Sequence, residues 1–90
     1  MRQIFVAATA ATLAVVFAMP ASAGPYDKEW TDRCIRDNKD EGQTSQTVAI
    51  YCTCMVALMP ESETRSVTQW EKSNKQAENR CSAQAGWKGR

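Results

Sequence analysis

The sequence contains no histidine, and this absence excludes several classes of site. Without an imidazole there is no Ser-His-Asp triad and no Cys-His nucleophilic pair. A haem-attachment motif and a Cys/His zinc site are excluded for the same reason. The cysteines also lack the paired C-x-x-C spacing of a four-cysteine zinc site. The acidic residues form no catalytic pair, so we predict a protein that is not an enzyme and holds no cofactor.

Charge is absent from a stretch near the start of the chain, Ile4 to Met19, which is rich in Ala, Val, Leu and Phe. Arg2 precedes it, Pro20 ends it, and Ala21-Ser22-Ala23 follows with small residues. This pattern is typical of a secretory signal peptide. The alternative is an uncleaved membrane anchor, but spanning a bilayer takes ~20 apolar residues. We predict a signal peptide at residues 1–23 and an exported product, periplasmic or secreted.

Net charge is absent from the remaining residues, 24–90, which form at most one domain and carry ten basic and ten acidic side chains. The two signs are interleaved, and the basic residues near the end, Lys88 and Arg90, are too few to form a patch. Nucleic acids and anionic lipids are bound through concentrated positive charge. We therefore expect no nucleic-acid partner and no membrane association after signal cleavage.

Large apolar side chains are few in residues 24–90, and a chain of this length is marginal for a self-supporting core. Such chains usually carry a covalent staple. The number of cysteines is even, and all of them lie in this part of the chain. In the oxidising compartment that a signal peptide implies, this predicts two disulfides. The four are Cys34, Cys52, Cys54 and Cys81.

Helical spacing predicts two helices in the first half of this domain. The first covers Tyr26 to Asp37, because Tyr26, Trp30 and Cys34 lie four residues apart on one face. The second covers Gln46 to Met59, a run without charge that has two apolar faces. A helix that is apolar on most sides is expected at the centre of its domain. One face holds Val48, Tyr51, Cys52, Met55, Val56 and Met59, and the other holds Ile50, Cys54, Ala57 and Leu58.

The uncharged run has a second interpretation as a buried strand, because it contains several good strand formers. Strands usually run ~4–8 residues, and this run is longer. The sequence also offers no second strand candidate to pair with it. We therefore favour the helix.

A third helix is predicted after Pro60, with Glu61-Ser62-Glu63 supplying a cap and first-turn acids. Gly86 ends it. Ser73-Asn74 is its weak point, where a split into two helices is the alternative to one continuous helix. The fold class is thus all-α, a small three-helix domain held by disulfides, in which the third helix is either continuous or broken at Ser73-Asn74. The helical stripe consists of Val67, Trp70, Asn74, Ala77 and Cys81.

Helical geometry limits the pairing of the cysteines. Residues two apart on a helix point about 200° apart, so a bond between Cys52 and Cys54 would need a broken helix. Each of them therefore reaches one of the two outer cysteines. The heights of the residues along an antiparallel helix pair favour Cys34–Cys52 and Cys54–Cys81. The swapped pairing stays open, because helix ends are uncertain by a few residues.

The pattern Trp30-x-x-x-Cys34, Tyr51-Cys52-x-Cys54 and a downstream Cys81 resembles a loose group of small secreted bacterial proteins. Those proteins share an aromatic-x₃-Cys, a later Tyr-Cys-x-Cys and a final Cys on a short helical frame. The resemblance covers most of residues 24–90 through a handful of positions. It implies the fold and export, and it implies no activity.

The main functional hypothesis is a non-enzymatic interaction protein of the cell envelope that binds a protein partner. Trp87 lies in a polar tail and either folds back over the core or, if exposed, is a candidate partner contact. The alternative is a Cu(I)-binding or thiol-redox protein that uses Cys52-Thr53-Cys54. Met55 and Met59 would then serve as further soft ligands, although core packing also explains both methionines.

We predict that mass spectrometry under non-reducing conditions finds the exported protein as residues 24–90 less four hydrogens. The mass deficit is expected because each disulfide removes two hydrogens. Four free thiols in the exported product would contradict the disulfide interpretation.

Overall fold

The computed structural model describes Gly24 and residues 26–89, and the predicted signal peptide at residues 1–23 lies outside them. The described part is helical throughout its regular structure and contains no strand. The predicted all-α class is therefore confirmed. The elements are α1 (Asp27–Asp37), α2 (Ser45–Leu58), α3 (Val67–Trp70), a 3₁₀ turn (Glu71–Ser73) and α4 (Lys75–Ala85).

Helix α1 begins where the N–H of Asp27 donates to the carbonyl of Gly24 at 3.1 Å. Two acidic residues lie in its first turn, where the helix dipole stabilises negative charge. Its end is closed by Asn38, whose side-chain amide donates to the carbonyl of Cys34 at 2.8 Å. Asn38 is buried and polar, and this bond satisfies it. The cap holds Cys34 at a fixed position on the inner face of α1.

Helix α2 begins after Thr44, whose hydroxyl accepts a hydrogen bond from the N–H of Thr47 at 3.0 Å. It ends at Leu58, and Pro60 two residues later cannot continue a helix. Helices α1 and α4 both pack against it, so it is the central helix of the domain. Its buried residues are Val48, Tyr51, Cys52, Met55 and Val56.

The predicted third helix is divided, and the division falls at the predicted weak point. Asn74 has φ −133° and ψ 61°, outside the helical region, and it separates the 3₁₀ turn from α4. Its side-chain amide donates to the carbonyl of Trp70 at 2.9 Å, which stabilises the break. The end at Gly86 is also as expected, with φ 72° in the left-handed region that glycine tolerates.

The predicted start of the third helix at Glu61-Ser62-Glu63 is wrong. Ser66 is the cap, and it forms a capping box with Gln69. Glu63 lies before this cap, and its carboxylate accepts hydrogen bonds from Arg65 at 2.8 and 3.2 Å. The helix begins after Ser66, where the capping box satisfies the first free backbone N–H groups.

Two disulfides and a small apolar core hold the helices together. Each bond closes a loop, with sequence separations of 18 and 27 residues. In the loop-entropy account each contributes about 3 kcal/mol, a large share of what a domain this small has. The core consists of Cys34, Val48, Tyr51, Cys52, Met55, Val56, Met59, Val67, Trp70, Cys81 and Ala85.

We predict that Ser66→Ala lowers the free energy of unfolding by about 1 kcal/mol, because the N–H of Gln69 loses its acceptor. In a domain of this size that corresponds to a fall in melting temperature of about 4–8 °C. Thermal unfolding followed by circular dichroism measures it. Ser62→Ala is the control, since Ser62 is exposed. Equal losses in both variants would contradict the assignment of the cap.

Candidate functional site

The structure contains the favoured cysteine pairing. Cys34 bonds to Cys52 with an S–S distance of 2.09 Å, and Cys54 bonds to Cys81 at 2.04 Å. Cys34, Cys52 and Cys81 are buried, whereas Cys54 is half-buried. The two bonds leave α2 in different directions, one toward α1 and one toward α4. Helix α2 is therefore tied to a neighbour on each side.

Three residues of the copper or redox alternative, Cys52, Met55 and Met59, lie in the core, whereas Cys54 is half-buried and Thr53 is exposed. Cys52 and Cys54 are each bonded to an outer cysteine, so in this form neither offers a thiolate. Met55 and Met59 are buried members of the apolar core. Within the part of the chain that the structure describes, no group of three or more His, Cys, Asp or Glu side chains could hold a metal ion. The arrangement does not bring an open pair of thiols to the surface.

Trp87 folds back over the domain. The backbone N–H of Trp87 donates to the carbonyl of Ser82 at 2.9 Å, and the backbone N–H of Gly86 donates to the carbonyl of Ala83 at 3.3 Å. This is the Schellman pattern that closes many helix ends. The Trp87 ring then packs on Tyr51, with ring centroids 5.0 Å apart and planes at 58°. The ring is half-buried, so the structure places Trp87 against the core.

Tyr51 has a polar contact that the sequence did not indicate. Its ring is fully buried, and its hydroxyl donates to a carboxylate oxygen of Glu71 in the 3₁₀ turn. Hydrogen bonds to a charged acceptor are stronger than neutral ones. Helical spacing placed Tyr51 in the core, but no local pattern identifies a partner twenty residues away. This bond fixes the 3₁₀ turn against the central helix.

One side of α2 faces outward, and we call it the α2 outer face. It consists of Ala49, Ile50, Thr53 and Ala57, beside a shallow depression of about 400 Å³. Ile50 is 36% exposed. The second predicted apolar face of α2 is therefore only partly covered: Ile50, Ala57 and Leu58 are exposed, whereas Cys54 is bonded to Cys81 of α4. Gln84 of α4 borders the face, its side-chain oxygen 3.6 Å from the sulfur of Cys54.

A second surface feature lies between α1 and the chain before α3, and we call it the aromatic groove. It is lined by two rings and three charged side chains and has a volume of about 350 Å³. The helical spacing places Tyr26 and Trp30 on one face of the first helix, but it does not predict a groove. A sequence signal for the groove does exist, because two aromatic residues lie four positions apart and charged residues follow them at helical spacing. The residues are Tyr26, Glu29, Trp30, Arg33 and Glu63.

The charges of the aromatic groove differ in how they are used. Both oxygens of Glu63 accept hydrogen bonds from Arg65, which lowers the pKa of Glu63 to about 2. The backbone N–H of Arg65 adds to this shift. Glu29, by contrast, has no hydrogen bond or ion pair with any residue that the structure describes. The groove therefore contains one carboxylate that is already paired and one that is not.

Comparisons of the chain with family models, curated proteins and solved structures find no match. None of the described helices is both long and apolar enough to cross a membrane. The two disulfides are typical of proteins that leave the reducing cytoplasm.

We predict that Glu63 titrates near pH 2 and that Arg65→Gln returns its pKa toward the ordinary value of 4.5. The folded-state pKa is the lower one, so the pair stabilises the domain above pH 4.5, and this stabilisation is lost as the pH falls toward 2. Carbon-detected NMR of the Glu63 carboxyl measures both values. Arg80→Gln, a substitution of an exposed arginine on α4, should leave the titration unchanged. A wild-type Glu63 that titrates near its ordinary value would refute the pairing.

Proposed function

We propose that this chain is an exported, non-enzymatic binding protein of the cell envelope, and that it binds a protein partner through the α2 outer face. The observation that carries the proposal is that this exposed face contains no charge. Helix α2 has none from Ser45 to Leu58, and Ile50 stands exposed in the middle of it.

A solvent-facing helix side normally carries charged or strongly polar residues. Here the exposed positions are Ile50, Thr53 and Ala57; Ile50 and Ala57 gain little from contact with water, and Thr53 is uncharged. Ile50 and Ala57 line one surface depression together, and contiguous exposed apolar surface is the kind through which proteins associate. The short side chains beside Ile50 allow a partner to approach the helix closely.

The disulfides support the same function through rigidity. Association loses free energy when flexible groups become ordered, and a surface that is already fixed avoids that loss. Helix α2 is tied through Cys52 to α1 and through Cys54 to α4. The α2 outer face is thus presented in one conformation. The same bonds suit an oxidising compartment, which supports export.

The partner we infer is a different protein that presents an uncharged, apolar surface. A charged group placed on this face would lose water and find no opposite charge in return. Proteins of the cell envelope with an exposed apolar helix or an exposed apolar segment fit this requirement. A second copy of this chain fits it too, and the experiment separates the two.

We predict that Ile50→Asp weakens binding of the partner at least ten-fold, because a carboxylate would be buried in an apolar contact. The measurement uses a photo-crosslinking residue at Thr53 in the exporting cell and identifies the crosslinked protein by mass. Affinity for that purified protein is then compared between the wild type and the variant.

Ile35→Asp is the matched control, because Ile35 on α1 and Ile50 are both 36% exposed. It should bind as the wild type does. Equal weakening by the two substitutions, or no crosslink from Thr53, would contradict the proposal. A crosslink only to another copy of the chain, together with a dimer in solution that Ile50→Asp dissociates, would replace the inferred partner by self-association.

A further inference from the structure

The aromatic groove contains two rings and three charged side chains that play no part in the proposed binding of a protein partner. It lies on α1 and the chain before α3, away from the α2 outer face. From its residues we propose that it binds a small zwitterion, one that carries an alkylammonium group and an anionic group a few bonds away. The inference is independent of the protein partner proposed above.

The two rings supply the site for the ammonium group. Tyr26 and Trp30 lie one helical turn apart, with ring centroids 6.0 Å apart and planes tilted by 42°. Both rings line the groove, and Tyr26 is 53% exposed. Trp30 is half-buried and packs on the core, so its position is fixed. Tryptophan and tyrosine faces attract alkylammonium cations within about 6 Å of the ring centroid.

The carboxylate of Glu29 adds the opposite charge. It sits next to Trp30 in sequence, lines the same groove, and forms no ion pair within the described residues. Glu63 on the other wall already forms an ion pair with Arg65, and the two charges of that pair sum to zero. A cation in the groove would therefore meet two aromatic rings and one available carboxylate.

Arg33 supplies the positive charge that would bind the anionic group of the ligand. It follows Glu29 by one helical turn, and side chains at this spacing are about 5–6 Å apart at their β carbons. Its Nε lies 4.0 Å from an oxygen of Asp37, and that same oxygen accepts a hydrogen bond from Thr68 at 2.6 Å. The ion pair is long and shared, so the guanidinium retains donors for a ligand. Phosphate and carboxylate groups are the anions that arginine binds best.

The charges of the groove therefore alternate along one wall, with Glu29 and then Arg33, beside two rings. A ligand with only a positive charge would be repelled by Arg33. A ligand with only a negative charge would be repelled by Glu29 and would make no cation–π contact with the rings. A zwitterion matches both charges. The volume of about 350 Å³ is at the small end of ligand sites and suits a molecule of the size of phosphocholine.

The test titrates the purified exported protein with phosphocholine and follows the Trp30 indole signal by NMR, with calorimetry for affinity. We expect a dissociation constant on the order of 1 mM, as for a small ligand with few contacts. The 3,3-dimethylbutyl ester of phosphate has the same shape without the positive charge and should bind at least ten-fold more weakly. Choline, which lacks the phosphate, should bind a few-fold more weakly.

Variants locate the site. Glu29→Gln should weaken phosphocholine several-fold, and Arg33→Gln should make phosphocholine and choline bind equally. Both residues are exposed, so both variants should fold. Trp30→Leu should weaken binding at least ten-fold, with circular dichroism as a check on its fold. Asp40→Asn removes an exposed carboxylate outside the groove and should change nothing.

Two sources could provide this chemistry, a free solute and a lipid headgroup. Co-sedimentation with phosphatidylcholine vesicles, compared with phosphatidylglycerol vesicles, identifies the headgroup, and binding of free phosphocholine alone identifies the solute. Either result supports the site. The proposal is overturned if phosphocholine does not bind at millimolar concentration, if the uncharged analogue binds equally well, or if Glu29→Gln and Trp30→Leu both leave binding unchanged.

Discussion

The structure depends on one covalent constraint, which is that helix α2 is tied to two different neighbours from positions two residues apart. Cys52 and Cys54 project in nearly opposite directions because of the helical repeat, so their bonds cannot both serve the same partner. Helices α1 and α4 have eleven residues each, and helices of that length are marginal in isolation. Attachment to the central helix gives each of them a fixed surface on which to pack.

The features that could be predicted from the sequence are those with a local physical cause. The helical repeat gave the all-α class and excluded a Cys52–Cys54 bond. The end at Gly86 follows from its tolerance of a left-handed conformation, and the break near Asn74 from a polar residue within an apolar stripe. The favoured disulfide pairing needed only approximate helix lengths. Apart from the disulfide pairing, which joins residues 18 and 27 positions apart, these inferences use residues within a few turns of one another.

The features that could not be predicted involve competition between distant or equivalent groups. Glu63 resembled a first-turn acid, but the helix begins at Val67 after the Ser66 capping box, and Glu63 pairs with Arg65 instead. Ile50, Ala57 and Leu58 lie on a predicted apolar face of α2 and are nevertheless exposed, since composition does not tell how much of a face the other helices cover. The Tyr51–Glu71 hydrogen bond and the aromatic groove arise only when separate segments meet. The proposed ligand site depends on such a meeting of segments, and the proposed partner surface depends on which part of α2 the other helices leave exposed.

The order of the cysteines along the chain has a consequence for biogenesis. The two disulfide loops are consecutive, since the first closes at Cys52 and the second opens at Cys54, so neither encloses the other. A protein that crosses a membrane from its N-terminus presents its cysteines to the oxidising side in sequence order. In that order the first two cysteines to emerge are native partners, and so are the last two. For a chain exported as proposed, oxidation in the order of emergence favours the native pairs over crossed ones.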